Sequence, residues 1–215
     1  MYVSVSYDNV NKKDFEPFFE KAYYEGDVIP KNKKGMHKWI IDNRVPLSES
    51  VNIKKASNFF ISILRQTGIR QIAAQGVAAV PLAGSILSLS PIDINMGIIR
   101  DVSKGYGKNK KIEGTIESSM PVLLIDDLMN GGNSAIRSIA ALKREGFSTI
   151  VFATLMWFDW GRGKKRLGIN QAKLPYYYGM RISKTGSKST TKKKPTTKST
   201  NYSRIQQRHP HFQKR

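Results

Sequence analysis

Hydrophobic and polar positions along the first 182 residues switch between a helical period and short apolar runs. Apolar side chains recur at helical spacing between Ile53 and Leu64, which predicts a helix that starts near the possible caps Ser48 and Ser50 and ends at Gly68. The same criteria predict, in chain order, a strand at 71–75, a helix at 81–87, strands at 96–101 and 121–127, a helix from Ser134 to Glu145 stopped by Gly146, and a strand at 148–157.

Strands that are apolar throughout and alternate with helices are typical of a parallel sheet covered on both faces. The chain is therefore predicted to be an α/β protein. In such sheets ligands bind beyond the carboxyl ends of the strands, so the loops that follow the predicted strands should meet in one crevice. Residues 102–119 show no periodicity and are predicted to form a long loop, whereas the run Tyr176, Tyr177 and Tyr178 favours a strand over a base-stacking surface.

Length and composition exclude several classes of protein. A chain of 215 residues suits one globular domain with extensions. No apolar run approaches the roughly 20 residues of a membrane span, and the charged N-terminus does not resemble a secretory signal. The absence of cysteine excludes disulfides and thiolate metal sites and suits a reducing compartment, so we expect a soluble, cytoplasmic protein.

Half of the net charge of +20 lies in residues 183–215, which contain ten Lys or Arg and no Asp or Glu. This segment is rich in Ser, Thr and Lys and poor in aliphatic residues, so it cannot bury enough apolar surface to order itself. We expect a folded domain at 1–182 and a disordered basic tail at 183–215. Such a tail attracts polyanions, nucleic acid above all, although excess lysine can also serve solubility alone.

The stretch VLLIDDLMNGGNSAIRSI, residues 122–139, carries the clearest chemistry. Asp126 and Asp127 follow a buried strand and can accept hydrogen bonds from neighbouring sugar hydroxyls. A loop of small polar residues then leads into a helix N-terminus, which favours a phosphate: Asn130, Gly131, Gly132, Asn133 and Ser134. Paired acids also end the metal-binding strand of P-loop nucleotidases, but the chain has no GxxxxGK[ST]. A third alternative is that the acids only cap the helix.

This stretch resembles the 5-phosphoribosyl-1-pyrophosphate (PRPP) motif of type I phosphoribosyltransferases. The stretch IIRDVSKGYGKNKKIEG, residues 98–114, is similar to the mobile catalytic loop of orotate phosphoribosyltransferases. Residues 73–88 resemble the pyrophosphate loop of that family with its following helix, and residues 33–44 resemble its N-terminal strand region. The resemblance covers most of residues 30–160 and implies a Rossmann-like parallel sheet flanked by helices, with a small N-terminal hood.

The resemblance also implies roles for individual residues. Asp126 and Asp127 would hold the ribose, Asp127 would take part in catalysis, and both would hold Mg²⁺ through the ribose hydroxyls or water. Arg100 and Lys104 would stabilise the departing pyrophosphate. The 5-phosphate would bind the loop from Asn130 to Ser134, and the pyrophosphate loop would contribute Gly76, Ala78 and Ala79. Family members often form homodimers, which is the expected assembly here.

The chain departs from the family pattern at several loop positions. Asp101 stands where a second basic residue is usual, and Tyr106 where a histidine is usual. Asn130 and Asn133 replace threonines, although their amide groups can still donate to phosphate. These changes leave open a domain that has lost catalysis and acts as a ligand-sensing regulator of DNA or RNA binding, or a defence-type effector that combines both activities.

A further departure concerns the base. Residues 158–167 resemble a family stretch in which an arginine after the aspartate helps to recognise orotate, but here Trp160 follows Asp159. An indole cannot pair with a carboxylate, so orotate fits this position poorly, and a neutral base stacked on Trp160 fits at least as well. Arg162 could reach the same place, and Trp160 could equally be a partly buried anchor.

Overall fold

The computed structural model describes residues 1–29, 35–100, 111–160, 167–168 and 174–185. The basic segment from Gly186 onward and the first half of the predicted long loop, residues 102–110, lie outside these residues. In chain order, the described elements are β1 (Val3–Ser6), α1 (Lys12–Ala22), β2 (Tyr23–Val28), β3 (His37–Ile41), α2 (Arg44–Leu47), α3 (Ser50–Thr67), β4 (Gln71–Ala74), α4 (Ala79–Leu89), β5 (Asn95–Ile99), β6 (Ile112–Gly114), β7 (Val122–Met129), α5 (Asn133–Arg144), β8 (Ile150–Phe158) and β9 (Tyr176–Lys184).

The main sheet has seven strands in the order β1-β9-β8-β7-β4-β5-β6. The five central strands are parallel, which confirms the α/β class, whereas both edges are antiparallel. The predicted parallel sheet is thus confirmed in its five central strands, and β1 and β6 extend it at the two edges. Strand β6 pairs with β5 in the antiparallel sense, with Gly114 opposite Gly97 and Ile112 opposite Ile99.

Helices cover both faces of the sheet because successive residues of a buried strand point to opposite sides. Leu124 of β7 and Phe152 of β8 pack in one cluster with Ala141 and Leu142 of α5. Helices α3 and α4 contact each other and the strands β4, β7 and β8 outside that cluster. Strand β8 and the first four residues of β7 are buried, as their continuous apolar sequences predicted.

The predicted elements are confirmed with shifts of a few residues at their ends, and three details differ. The N-cap of α3 is Glu49, without a side-chain bond, rather than Ser48 or Ser50. Residues 112–114 form β6 inside the predicted loop, because a three-residue strand is too short to show a period. Strand β9 runs to Lys184, so Ser183 and Lys184 pair with β1 and belong to the sheet rather than to the tail.

An N-terminal hood is present as a two-stranded antiparallel sheet of β2 and β3. Aromatic rings connect it to the end of β8: Tyr23 stacks on Trp39 at a centroid distance of 6.2 Å, and Trp39 lies 6.0 Å from Phe158. Aromatic contacts of this kind stabilise a fold beyond the effect of the apolar area that they bury. Within the described ranges no helix is long and apolar enough to cross a membrane.

Gly114 fixes the close approach of β6 to β5. Its φ is +116°, and a Cβ added there would lie 2.1 Å from the carbonyl oxygen of Met96. Gly114→Ala is therefore expected to lower the free energy of unfolding by about 2–4 kcal/mol in urea denaturation. Gly84→Ala is the control, because Gly84 lies within α4 with no atom within 4 Å of an added Cβ, and it should stabilise slightly. Equal stability of the two variants would contradict this interpretation.

Candidate functional site

A cleft of about 360 Å³ opens where the parallel strands β4 and β7 end. The end of β3, the start of α2, the loop after β4, the second half of β7 and the first turns of α5 all contribute to it. Its lining residues are Ile40, Ile41, Asp42, Asn43, Arg44, Gln75, Gly76, Val77, Ala78, Asp126, Asp127, Leu128, Ser134 and Arg137. The predicted convergence of strand-end loops on one crevice is present for β4 and β7.

The acid pair lies in the floor of this cleft. Asp126 and Asp127 are half-buried in β7, and the backbone N–H of Asp127 donates to Oδ1 of Asp126 at 3.0 Å. Burial raises the pKa of Asp126 well above its ordinary value, and the negative charge of Asp127 raises it further. Burial also raises the pKa of Asp127. A ligand that brings hydroxyl donors or a cation would stabilise the ionised form of these two neighbouring carboxylates.

Asn43, which the sequence pattern did not single out, holds the acid pair from the hood side. It is 1% exposed, and its Nδ2 donates to the backbone oxygen of Asp127 at 2.9 Å. A hydrogen bond from its side chain also lowers the pKa of Asp127, against the larger effect of burial. Its Oδ1 is buried without a hydrogen-bond partner among the described residues. The signal that could have found it is an amide two residues after the end of the hood strand β3.

A bidentate ion pair lies on the hood side of the cleft, beside Asn43. Arg44 donates from Nε to Oδ1 of Asp42 at 2.7 Å and from Nη2 to Oδ2 at 2.6 Å. The hydrogen bonds from Arg44 lower the pKa of Asp42. The attraction of Asp127 also contributes to the raised pKa of Arg44. Asp42 thus already holds the guanidinium that faces the acid pair from the hood.

The loop after β7 turns into α5 through Gly132, whose φ of 71° is the left-handed conformation that glycine adopts at least cost. Gly132 is the N-cap and has no side chain of its own to cap the first turn of α5. Ser134 in that turn lines the cleft, and Nη2 of Arg137 donates to its Oγ at 3.5 Å. The predicted neighbours Asn130, Gly131 and Asn133 adjoin the cleft without lining it. Open N–H groups at a helix N-terminus favour an anion.

The loop after β4 is divided between the cleft and the core. Gly76 and Ala78 line the cleft, as the predicted pyrophosphate loop requires. Ala79 is fully buried as the first residue of α4 and is not among the lining residues, because the helix has already turned its side chain into the core. Gln75, which the sequence pattern also did not single out, lines the cleft and accepts a hydrogen bond at Oε1 from Ser138 of α5.

Arg100 lies outside the cleft, at the end of β5. Its Nη1 lies 3.1 Å from Oε1 of Glu113, and its backbone N–H donates to the oxygen of Lys111 at 2.9 Å. The ends of β5 and β6 thus fix Arg100 within the segment 98–114, which resembles the catalytic loop of the family. Lys104 lies outside the described residues.

Of the residues predicted to recognise the base, Trp160 and Asp159 are described, and neither is among the residues that line the cleft. Trp160 packs against Phe158 and Trp39 at centroid distances of 4.7 Å and 6.3 Å, with Nζ of Lys184 5.9 Å from its ring. Asp159 accepts a hydrogen bond from the hydroxyl of Ser183. Arg162 lies outside the described residues. These contacts favour the alternative of Trp160 as a partly buried anchor of the hood.

The donor set of the cleft suits a cation that shares its coordination with a ligand. In the described part of the chain, no group of three or more His, Asp or Glu side chains could by itself hold a metal ion. Asp126 and Asp127 offer the hard carboxylate oxygens that Mg²⁺ prefers, and Mg²⁺ usually combines one or two carboxylates with waters and substrate phosphates. The acid pair therefore fits Mg²⁺ bound together with a phosphorylated ligand.

Comparison with known proteins identifies relatives, although no family model matches the chain. The orotate phosphoribosyltransferase of Cutibacterium acnes is 30% identical over 145 residues, which cover 66% of this chain and 66% of that protein. The matched part thus spans just under two thirds of the length of this relative.

Solved structures share the fold. The crystal structure of Mycobacterium tuberculosis orotate phosphoribosyltransferase with Fe(III) dicitrate superposes with a TM-score of 0.66 at 19% identity, covering 77% of this chain and 93% of that one. The structure of the same enzyme with PRPP gives a TM-score of 0.54 at 18% identity, covering 64% of this chain and 78% of that one.

The raised pKa of Asp126 predicts how stability depends on pH. The folded protein retains the proton of Asp126 above the ordinary pKa of 3.8, where the unfolded chain has lost it, so stability falls as pH rises from 3.8 to the folded-state pKa. Asn does not titrate. Asp126→Asn is therefore expected to be more stable than the wild type at neutral pH in urea denaturation, and the difference should shrink as pH falls towards 3.8.

The control for this experiment is Asp93→Asn, because Asp93 is exposed and lies away from the cleft. Its stability should follow that of the wild type at each pH. An Asp126→Asn variant that is less stable than the wild type at neutral pH would contradict the interpretation that burial disfavours the ionised form of Asp126.

Proposed function

Because this chain belongs to the type I phosphoribosyltransferase family, we propose that it binds PRPP together with Mg²⁺ and transfers phosphoribose to or from a nucleobase. One observation carries this proposal. The acid pair of β7, the backbone of Gly76 and Ala78, and the N-terminal turn of α5 line the same cleft. A ribose with a phosphate at one end and a pyrophosphate at the other requires these three kinds of group within one cleft.

The acid pair is proposed to hold the ribose. Ionised Asp126 and Asp127 accept hydrogen bonds from vicinal hydroxyls, and the ligand then stabilises charges that burial disfavours in the ligand-free cleft. Asn43 keeps the strand end in place through the backbone oxygen of Asp127. When bound, Mg²⁺ would be held by the acid pair through ribose hydroxyls or water and would offset the charge of the pyrophosphate.

The two ends of PRPP are proposed to bind opposite sides of the acid pair. The open first turn of α5, with Ser134 and the loop from Asn130 to Asn133, would hold the 5-phosphate. The pyrophosphate would lie against Gly76 and Ala78. Arg100 and Lys104 are proposed to stabilise the negative charge that develops on the departing pyrophosphate, as the family resemblance implies. PRPP bound to the tuberculosis enzyme supports this choice of ligand.

The base is proposed to be neutral rather than a carboxylated pyrimidine. Ile40, Ile41 and Val77 give the described rim of the cleft an apolar character. The arginine on the hood side, Arg44, already has its guanidinium in a bidentate pair with Asp42. A carboxylate on the base would have to compete with that pair, whereas an uncharged ring loses nothing by contact with apolar side chains.

The double variant Asp126→Asn, Asp127→Asn tests the acid pair. It is expected to lose measurable release of pyrophosphate from PRPP and Mg²⁺ with a panel of nucleobases, because amides cannot replace two charged acceptors of hydroxyl hydrogen bonds. Asp93→Asn removes an exposed carboxylate away from the cleft and should keep wild-type activity. Undiminished pyrophosphate release by the double variant would refute the assignment of the ribose site.

A second candidate function is ligand-regulated binding of nucleic acid, alone or combined with catalysis in a defence-type effector. The basic segment 183–215, with ten cations and no acid, and the departures Asp101 and Tyr106 favour it. Binding through such a segment should depend little on nucleotide sequence, because attraction between cations and phosphates does not distinguish the bases.

We also propose a homodimer, on the family resemblance alone.

Deletion of residues 186–215 tests the tail while leaving β9 intact. The truncated chain is expected to lose most of its affinity for DNA and RNA at low salt, and affinity of the full chain should fall steeply with added salt in fluorescence anisotropy. Replacing the five lysines from Lys188 to Lys198 by Gln keeps the tail length and should give an intermediate affinity. Affinity that survives the deletion would exclude the tail as the binding segment.

A further inference from the structure

Asn43 carries a buried hydrogen-bond acceptor that the fold leaves without a donor. The residue lines the cleft on the hood side, yet it is only 1% exposed. Across the ranges that the structure describes, no donor reaches its Oδ1. A buried acceptor without a partner costs free energy, because it has lost its hydrogen bonds to water. A ligand that brings a donor to this oxygen would recover that cost.

The contact with β7 fixes which end of the Asn43 amide faces the strand. Nδ2 donates to the backbone oxygen of Asp127 at 2.9 Å, and a backbone oxygen can only accept. Exchange of the two amide ends would place Oδ1 against that oxygen and lose the bond. Oδ1 therefore lies on the other side of the amide, turned away from the backbone of Asp127, and is the end that still needs a donor.

The other polar side chains near Asn43 also favour a ligand that brings a donor. Both oxygens of Asp42 accept hydrogen bonds from Arg44, so that guanidinium is already paired. Asp126 and Asp127 add two more carboxylates to the same cleft. A ligand edge that carries a carbonyl or a carboxylate would be repelled by these acceptors, whereas an amino group would be attracted to them.

A bound nucleotide has two kinds of donor, its ribose hydroxyls and the N–H groups of its base. In the proposed complex the hydroxyls bind Asp126 and Asp127, whose charged oxygens are stronger acceptors than a neutral amide. The base is proposed to lie against the apolar rim, and Asn43 follows the rim residue Ile41 by two positions. An N–H group of the base is therefore the donor that remains for Oδ1.

We propose that the nucleobase carries an amino group and that Oδ1 of Asn43 accepts a hydrogen bond from it. This inference rests on the proposed function, because only a cleft that binds a nucleotide brings a base to this position. Asn43 then has two roles: Nδ2 holds the strand that carries the acid pair, and Oδ1 selects the base. The substrate class is an amino-substituted purine or pyrimidine, since a base without an amino group leaves the acceptor unpaired.

The test uses pairs of nucleoside 5′-monophosphates that differ by one amino group. Guanosine and inosine monophosphates form one pair, adenosine and purine-riboside monophosphates another, and cytidine and 2-pyrimidinone-riboside monophosphates the last. Affinities for the full chain with Mg²⁺ are measured by calorimetry. In at least one pair the amino-bearing nucleotide is expected to bind the wild type about tenfold more tightly.

Asn43→Leu removes the acceptor while keeping a side chain of similar size. It also removes the bond to Asp127 and should weaken binding of both members of a pair, so the ratio of the two affinities isolates the effect of Oδ1. That ratio is expected to fall to within about twofold of unity. Asn43→Ala should give the same ratio, and it replaces Asn43→Leu in the test if the leucine does not pack.

Asn52→Leu is the matched control, because Asn52 is also a buried amide, 6% exposed, but belongs to α3 and lies outside the cleft. Its Nδ2 donates to Oε2 of Glu49 at 2.8 Å, so this variant likewise loses a hydrogen bond. The preference for the amino-bearing nucleotide should remain as it is in the wild type.

Two results would overturn the role of Asn43. In the first, the wild type binds both members of every pair equally or not at all, so that no amino group contributes to binding. In the second, the preference survives unchanged in Asn43→Leu and Asn43→Ala, which would place recognition of the amino group elsewhere. Binding of PRPP by the wild type separates the two proposals. If PRPP does not bind, the proposed function fails as well; if it binds, only the inferred choice of base fails.

Discussion

The cost of holding two neighbouring carboxylates at the end of a buried strand governs the arrangement of the cleft. Strand β7 must be apolar to lie at the centre of the sheet, and it carries Asp126 and Asp127 directly from that core into the cleft. Burial and the charge of Asp127 raise the pKa of Asp126, so ionising Asp126 costs free energy in the ligand-free protein. Three neighbouring groups partly offset this cost. The backbone N–H of Asp127 donates to Asp126, the amide of Asn43 donates to the backbone oxygen of Asp127, and Arg44, paired with Asp42, attracts Asp127 from the hood side. The same deficit makes the pair responsive to a ligand that brings hydroxyls and a cation.

The sequence pattern predicted the central strands and the acid pair correctly, but it missed the edge strands and the residues that act through long-range contacts. Strands β4 and β8 and the first four residues of β7 are buried and almost wholly apolar, and a continuous apolar run between turn signals is easy to recognise in a sequence. The acid pair and the glycines before α5 could be found because their chemistry lies within one short stretch. Asn43 and Gln75 could not, because each acts through a contact with a distant part of the chain, Asp127 and Ser138 respectively. The antiparallel edges were missed because β1 and β6 have four and three residues and leave no period.

Trp160 shows how one residue type supports two hypotheses until its neighbours are known. Its position after Asp159 suggested a stacking surface for a base, but its ring meets Phe158 and Trp39 instead. These rings, with Tyr23, join the hood to the end of β8. Because Ile40 and Ile41 continue from Trp39 into the cleft, this aromatic contact also sets the distance between the apolar rim and the acid pair. Replacement of a hood aromatic residue would therefore alter ligand binding without touching a binding residue.

The pairing of β1 with β9 joins residues that are far apart in the chain. Val3 lies opposite Lys184, and Ser6 opposite Arg181. Loop closure over such a separation is entropically costly and slows folding. During synthesis β1 therefore has no strand to join until nearly all of the domain has been made, and its backbone donors stay hydrated in the meantime. This edge of the sheet is expected to form last, after the central strands have created the surface on which β9 can dock.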